Sequence, residues 1–316
     1  IIHTGDMAHT KTHLSPEYFE LTSEFLKNLG DIAPTYIILG NHDGNLKNEN
    51  RQDAITPIIQ ALQHPNLHLL KDSGETHLTD SICLNVLSVF DRENWVSPSD
   101  MSKINIALYH GAIMGCKVSD GWSLENGEDE VDIFRDFDFA MLGDIHRSQY
   151  LDPEKRVWYA GSTVQQNFGE SLRKGYLLWN IRDKETFNVE KRLFMSPRPF
   201  VTVEINQDGT IPKVDVPRNA RLRLISNYNL PVVKLRRACD YANAQWNPYS
   251  VNFVNKAGYS SQVVMENDGE RINMRDQNTQ EKYIKAFLSD KEISPEVLDR
   301  VLELNRKYSK QIEGSE

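Results

Sequence analysis

Cysteine is scarce in this 316-residue chain, and its three copies, Cys83, Cys116 and Cys239, stand far apart with no C-x-x-C spacing. That pattern excludes a disulfide framework and a zinc knuckle and fits a reducing compartment, so a cytoplasmic location is expected. Long apolar runs are also lacking. No stretch approaches the roughly 20 residues of a membrane-spanning helix, and the first residues show no secretory pattern, so no membrane partner is expected. Positive charge is in deficit, with 36 Lys and Arg against 45 Asp and Glu, a formal charge of −9. Such a surface does not bind nucleic acid over its whole extent, yet a local basic or metal-lined cleft remains compatible with it. What the chain has is core: 39% hydrophobic content over 316 residues predicts two domains, or one with appendages.

The order of elements predicts an α/β fold. Ile1 to Asp6 reads as a strand already in progress, which leads us to expect a chain clipped at its front. Ser15 and Pro16 mark a helix start whose apolar face is Phe19, Phe25, Leu26 and Leu29. A buried strand follows at Thr35 to Leu39, then a helix over Asp53 to Gln63. From Leu67 to His110 short strands replace helices, with apolar runs at Ile82 to Phe90 and Ile104 to Tyr109. Further strands are expected at Phe137 to Leu142, Val157 to Ala160, Gly175 to Asn180 and Thr186 to Phe194.

Four of these strands end in polar residues beside glycine: Gly5-Asp6, Gly40-Asn41-His42-Asp43, His110-Gly111 and Gly143-Asp144-Ile145-His146. Parallel α/β sheets bind ligands beyond the carboxyl ends of their strands, and desolvated polar groups there require a polar partner. Singly, a Gly-Asp pair is usually a turn and a lone His usually a hydrogen-bonded structural residue. Together they point to metal-assisted chemistry. An Asn carbonyl is a hard oxygen ligand, and His42 could serve as a ligand or as a proton donor.

These motifs resemble the calcineurin-like metallophosphoesterases, whose ordered set is D-x-H, GD, GNH[DE], a His after a strand, and G-H-x-H. All but the first are recognisable. The chain is more specifically similar to the SbcD-type double-strand-break repair nucleases and their tailed-phage counterparts. That likeness rests on Gly5-Asp6-Met7-Ala8-His9, on Gly40-Asn41-His42-Asp43, and on Tyr159-Ala160-Gly161-Ser162-Thr163 with Asn167-Phe168-Gly169-Glu170 and Lys174-Gly175. It covers residues 1–205 well and the rest by order of elements. The fold it implies is a four-layer αββα sandwich of mixed sheets, with a small α+β capping domain and a C-terminal helical hairpin. The implied division is a metallophosphoesterase domain at 1–195 lacking its first strand, a capping domain at 196–270 and the hairpin at 271–316.

The resemblance also implies roles. Two divalent cations, manganese or alternatively magnesium, would share Asp6; Asn41 and His110 would complete one site and His146 the other. His42 resembles the proton donor to the leaving oxygen, His9 a second imidazole on the phosphate, and Asp43 the carboxylate that orients His42. Two departures qualify the set. Asp144 stands where the family has the first His of G-H-x-H, and is read as a ligand, the alternative being a hydrogen bond to a water on the metal. The D-x-H motif is missing, which leaves one cation with only Asp6 and His146. The implied activity is hydrolysis of a phosphodiester, exonucleolytic or endonucleolytic, on DNA ends during repair and recombination, in the host cytoplasm if phage-encoded.

Beyond Ser196-Pro197-Arg198-Pro199 a new region begins, with strands expected at Phe200 to Ile205, Arg221 to Ile225 and Ser250 to Val254. A helix is expected near Val233 to Asn243, where Lys234, Arg236 and Arg237 could touch a DNA backbone or form a solvated face. Two helices should close the chain, Thr279 to Leu288 and Ser294 to Ile312. The second carries a stripe of Val297, Val301, Leu304, Tyr308 and Ile312 that needs a partner. Docking on its own domain is one answer; the resemblance implies an SMC-like ATPase instead, and a homodimer through helices near the front of the domain remains open. Rival readings are a small-molecule phosphodiesterase or phosphatase with the same metal site, and an adaptor that recruits the ATPase without catalysis.

Overall fold

The computed structural model describes residues 1–9, 14–48, 51–118, 123–125, 127–257 and 294–313, with four helical positions between 281 and 288. Residues 1–258 form one compact unit and 259–316 a second. In the first, β1 (Ile2–His3), β2 (Thr35–Ile38) and β3 (Leu67–Leu70) make a parallel sheet in that order. A second sheet has the order β4 (Gly74–His77), β5 (Ile82–Leu87), β6 (Ile104–His110), β7 (Phe139–Gly143), β9 (Val157–Tyr159) and β8 (Gln149–Tyr150). Its four inner strands are parallel and its two edges antiparallel.

Strand β6 shows why the sheets stack. From Asn105 to His110 every residue is buried, as a central parallel strand covered on both faces requires. Its alternate side chains go to different cores. Ile106 and Leu108 join Leu84, Val86 and Phe139 against Ile38 of the first sheet, while Ala107 and Tyr109 join Leu142, Tyr159 and Phe134 on the far side. That far side is covered by the segment after β6, with a 3-10 turn at Val131–Phe134. The mixed α/β architecture, with several sheets and few helices, is the one the order of elements predicts.

Helix α1 (Pro16–Ile32) begins as expected, with the Ser15 hydroxyl accepting from the Tyr18 amide at 3.3 Å. Its buried face keeps Leu26 of the expected set but is otherwise different. Thr22, Leu26 and Gly30, four residues apart, form the buried row, whereas Phe19 and Phe25 are 41% and 42% exposed. The reason is local: the His64 ring lies 2.7 Å from where a Gly30 Cβ would be, so small residues bring this face close to its neighbours. Helix α2 (Thr56–Leu62) also starts three residues later than expected. Asp53 is drawn into a turn instead, its carboxylate accepting from the amides of Ile55 and Thr56 at 2.9 and 2.6 Å and from the Thr56 hydroxyl at 2.7 Å.

The hairpin of β10 (Lys174–Ile181) and β11 (Phe187–Phe194) lays Trp179, Ile181 and Phe187 on the core between the sheets. Past it, β12 (Phe200–Glu204), β13 (Arg221–Ser226) and β14 (Ser250–Asn255) form a third, parallel sheet. Together with α3 (Val232–Trp246) it has its own core of Val203, Leu222, Leu224, Ala238 and Ala242. In the second unit, α4 (Pro295–Glu313) occupies the span expected for the last helix. The expected helix at 279–288 lies outside the described residues apart from those four positions, as do the side chains of Tyr308 and Ile312. No helix among the described residues is long and apolar enough to cross a membrane.

Asp53 offers a check on this framework. Burial would raise its pKa, but the Thr56 hydroxyl and amide and the Lys71 ammonium more than reverse that and hold it below the usual carboxylate value. A depressed folded pKa gives stability that is present above the unfolded value of about 3.9 and is lost as pH falls through the folded one. Asp53→Ala is therefore expected to lower stability by about 1–2 kcal/mol at pH 7. In urea unfolding, the gap between variant and wild type should close as the pH is taken below about 4.

Candidate metal centre

Four strand ends converge on the ring of His110, which is 2% exposed at the end of β6. A Cβ on Gly5 would lie 2.5 Å from its Nδ1, one on Gly143 2.7 Å from the same atom, and one on Gly40 2.6 Å from its Cε1. Glycine at the ends of β1, β2 and β7 thus lets three backbones close around one imidazole. Nδ1 of that imidazole is 2.6 Å from the Thr4 carbonyl, to which it donates. The tautomer leaves a lone pair on Nε2. Nε2 is 3.3 Å from Asp6 Oδ2 and 3.8 Å from Asp144 Oδ1, and is buried without a well-aligned hydrogen bond. The Oδ1 of Asn41 is likewise buried and unpartnered.

Asp6, His110 and Asp144 bring their ligand atoms within 4.8 Å of one another. Both aspartates have left-handed backbone, with φ of 58° and 88°, a conformation that L-residues seldom adopt. Their electrostatics reflect the crowding. Burial would raise Asp6, but the His110 ring holds it below its ordinary value; burial raises Asp144, aided by the Asp6 charge and opposed by His110. Burial would lower His110, yet Asp6, the Thr4 carbonyl and Asp144 raise it.

Asp43 does not orient His42 as expected. It is 1% exposed, and its Oδ2 accepts from the amides of Asp6 and Gly40 at 2.8 and 2.9 Å, its Oδ1 from Ala8 at 2.8 Å. A carboxylate so occupied ties the loop after β1 to the loop after β2. His42 is held by main chain instead: Nδ1 donates to the His9 carbonyl at 2.7 Å, and its amide donates to Asp6 Oδ1 at 2.9 Å. Its Nε2 is thereby left for proton transfer, and its ring lies parallel to that of His9 with centroids 6.1 Å apart.

Asp6, His9, His42, Asp144 and His146 line one cleft of about 530 Å³. Asn41 and His110 are not on its wall, and His146 lies outside the tight trio. What orients His146 is Glu170, whose Oε1 is 2.9 Å from Nδ1. The other Glu170 oxygen meets the buried Lys174 ammonium at 2.7 Å, which also donates to Ser162 Oγ and the His146 carbonyl. The motifs that contain Glu170 and Lys174 do not by themselves reveal these contacts. The available signal was an acid four residues before a lysine, between apolar segments.

The two readings of Asp43 separate experimentally. Asp43→Ala would strand three loop amides, each worth about 1–3 kcal/mol if left buried and unsatisfied. We expect a loss of at least about 3 kcal/mol in urea unfolding; an unchanged midpoint would restore the view that Asp43 serves His42 alone.

Comparison with known proteins agrees with this geometry. Residues 1–148 match the calcineurin-like phosphoesterase family model. The chain is 31% identical over 324 residues to the uncharacterized protein R555 of Acanthamoeba polyphaga mimivirus, an alignment that covers 99% of the chain but only 23% of that relative. Two further proteins are each named "Putative phosphoesterase". For 244L of Invertebrate iridescent virus 6 the identity is 26%, covering 70% of this chain and 79% of that protein; for 078R of Invertebrate iridescent virus 3 it is 21%, covering 66% and 60%. The converging strand ends at Asp6, Asn41, His110 and Asp144 all lie within the segment that the calcineurin-like phosphoesterase model matches.

Proposed function

We propose that residues 1–195 act as a metal-dependent DNA nuclease, that residues 196–270 cap its cleft, and that residues 271–316 dock on an SMC-like ATPase in double-strand-break processing. The observation that carries the reading is the convergence of buried Asn41 Oδ1, which has no hydrogen-bond partner, and buried His110 Nε2 on strand ends that also deliver the Asp6 and Asp144 carboxylates, Asp6 Oδ2 lying 3.3 Å from Nε2. Such a donor set fits divalent cations: mixed nitrogen and oxygen suit manganese, and the carboxylates tolerate magnesium. Asp6 would be shared, Asn41 and His110 with Asp144 would complete one site, and His146 would serve the other. When bound, two cations neutralise phosphate charge and make water a nucleophile near neutral pH.

The remaining work falls to the chain. His42, with Nδ1 fixed by the His9 carbonyl, presents Nε2 as the atom that hands a proton to the leaving oxygen. His9, on the same wall, faces the phosphate. Glu170 fixes the His146 tautomer, which leaves Nε2 to meet a cation. Lys234, Arg236 and Arg237, exposed on α3, supply positive charge for a DNA backbone.

With manganese, the protein should degrade linear DNA. His42→Ala should lower that rate by about 10²–10⁴-fold while calorimetry shows metal still bound; loss of the metal would end the proton-donor assignment. Turnover of small diesters without DNA cleavage would favour a small-molecule enzyme, and metal binding with no turnover an adaptor. Glu170→Gln should weaken manganese affinity about 10–100-fold in the same titration; unchanged affinity would remove Glu170 from the site.

A further inference from the structure

Beside the proposed nuclease cleft lies a second compartment of about 600 Å³ that shares His146, Ser162 and Tyr176 with it. The new wall carries Arg147, Arg173 and Lys191. Glu170 is the acid on this wall, and Lys174 and His146 already occupy it. Three cations therefore face the space with no counter-charge among the ion pairs of the described residues. Lys191 donates to the Ser148 carbonyl at 2.9 Å, and burial together with the nearby Arg147 holds its pKa below the ordinary lysine value. Like charges kept together in an acidic protein focus a positive field at one place.

We propose that this compartment holds the phosphates flanking the scissile one, so that the enzyme takes a nucleic-acid strand rather than a mononucleotide. The inference rests on the phosphodiesterase reading of the adjoining cleft. Arg147, Arg173 and Lys191 grip the backbone, and Tyr176, half exposed at the border of the two spaces, offers a face on which a base stacks. The residues are spaced along the chain, and the fold alone gathers them: Arg147 and Ser148 follow β7, Arg173 precedes β10, and Lys191 comes from β11. A nucleic-acid strand is favoured over a phosphopeptide because several cations and an aromatic face lie next to one another, the combination that single strands use.

The test compares wild type with Arg147→Ala/Arg173→Ala/Lys191→Gln on two manganese-dependent reactions, cleavage of a labelled single-stranded oligonucleotide and of bis(p-nitrophenyl) phosphate. The ratio of the two kcat/KM values should fall at least about tenfold, and oligonucleotide binding in EDTA, read by anisotropy, should lose about 2 from its log–log salt slope, at roughly 0.7 per cation. An unchanged ratio and slope would overturn the assignment, as would a phosphopeptide that competes as well as the oligonucleotide. If wild type cleaves neither substrate, the hydrolytic reading falls. The binding slope then still decides the compartment: a reduced slope in the triple variant sustains it, and an equal slope removes it.

Discussion

The buried carboxylate of Asp43 is the contact on which the geometry of the centre depends, because it accepts from the amides of Asp6, Ala8 and Gly40 at once. Those amides belong to loops leaving two different strands. Burial pushes the Asp43 pKa up, against the pull of the Ala8, Gly40 and Asp6 amides, yet the same three bonds fix where Asp6 stands. Asp6 in turn accepts from the His42 amide. The bridging candidate and the proton-donor candidate are therefore positioned by one another through main chain, with Asp43 underneath as the shared acceptor.

A common rule governs the three imidazoles. Nδ1 is engaged in each: by the Thr4 carbonyl in His110, by the His9 carbonyl in His42 and by Glu170 in His146. Each ring is therefore fixed through Nδ1 and leaves Nε2 free of that partner, and the partners differ in a chemically useful way. A carboxylate adds negative charge beside the ring where a carbonyl adds only a dipole, which suits His146 for holding a cation from an exposed position. His110, sheathed in backbone at Gly5, Gly40 and Gly143, has no freedom to move and needs no such reinforcement.

Much of this was legible in the residues. The apolar runs followed by glycine and a polar group mark the strand ends of β1, β2, β6 and β7 and single out Asp6, Asn41, His42, His110, Asp144 and His146. What escaped has a physical cause in each case. The acceptors that set the tautomers of His110 and His42 are main-chain carbonyls, which carry no side-chain signature. Asp43 follows His42 directly, so adjacency implied a partnership that the turn prevents. The phenylalanines of α1 fit a helical stripe, but the close approach at Gly30 chose a narrower face. Asp53 was counted into a helix although its side chain competes for the very amides that begin one.

The left-handed backbone at Asp6 and Asp144 carries the argument one step further. Neither residue is glycine, and each such conformation costs of order 1–3 kcal/mol unless surrounding structure over-determines it. Around Asp6 that structure is visible in the Asp43 and His42 bonds. Around Asp144 it is the Gly143 backbone pressed against Thr4 and the His110 ring. Two carboxylates bent toward one buried imidazole repel each other. Strain and like charge at the same two positions make sense together when the pair is built to receive positive charge. In the proposed nuclease that charge would be the cation pair, and the contacts around Asp6 and Asp144 would hold two of its ligands.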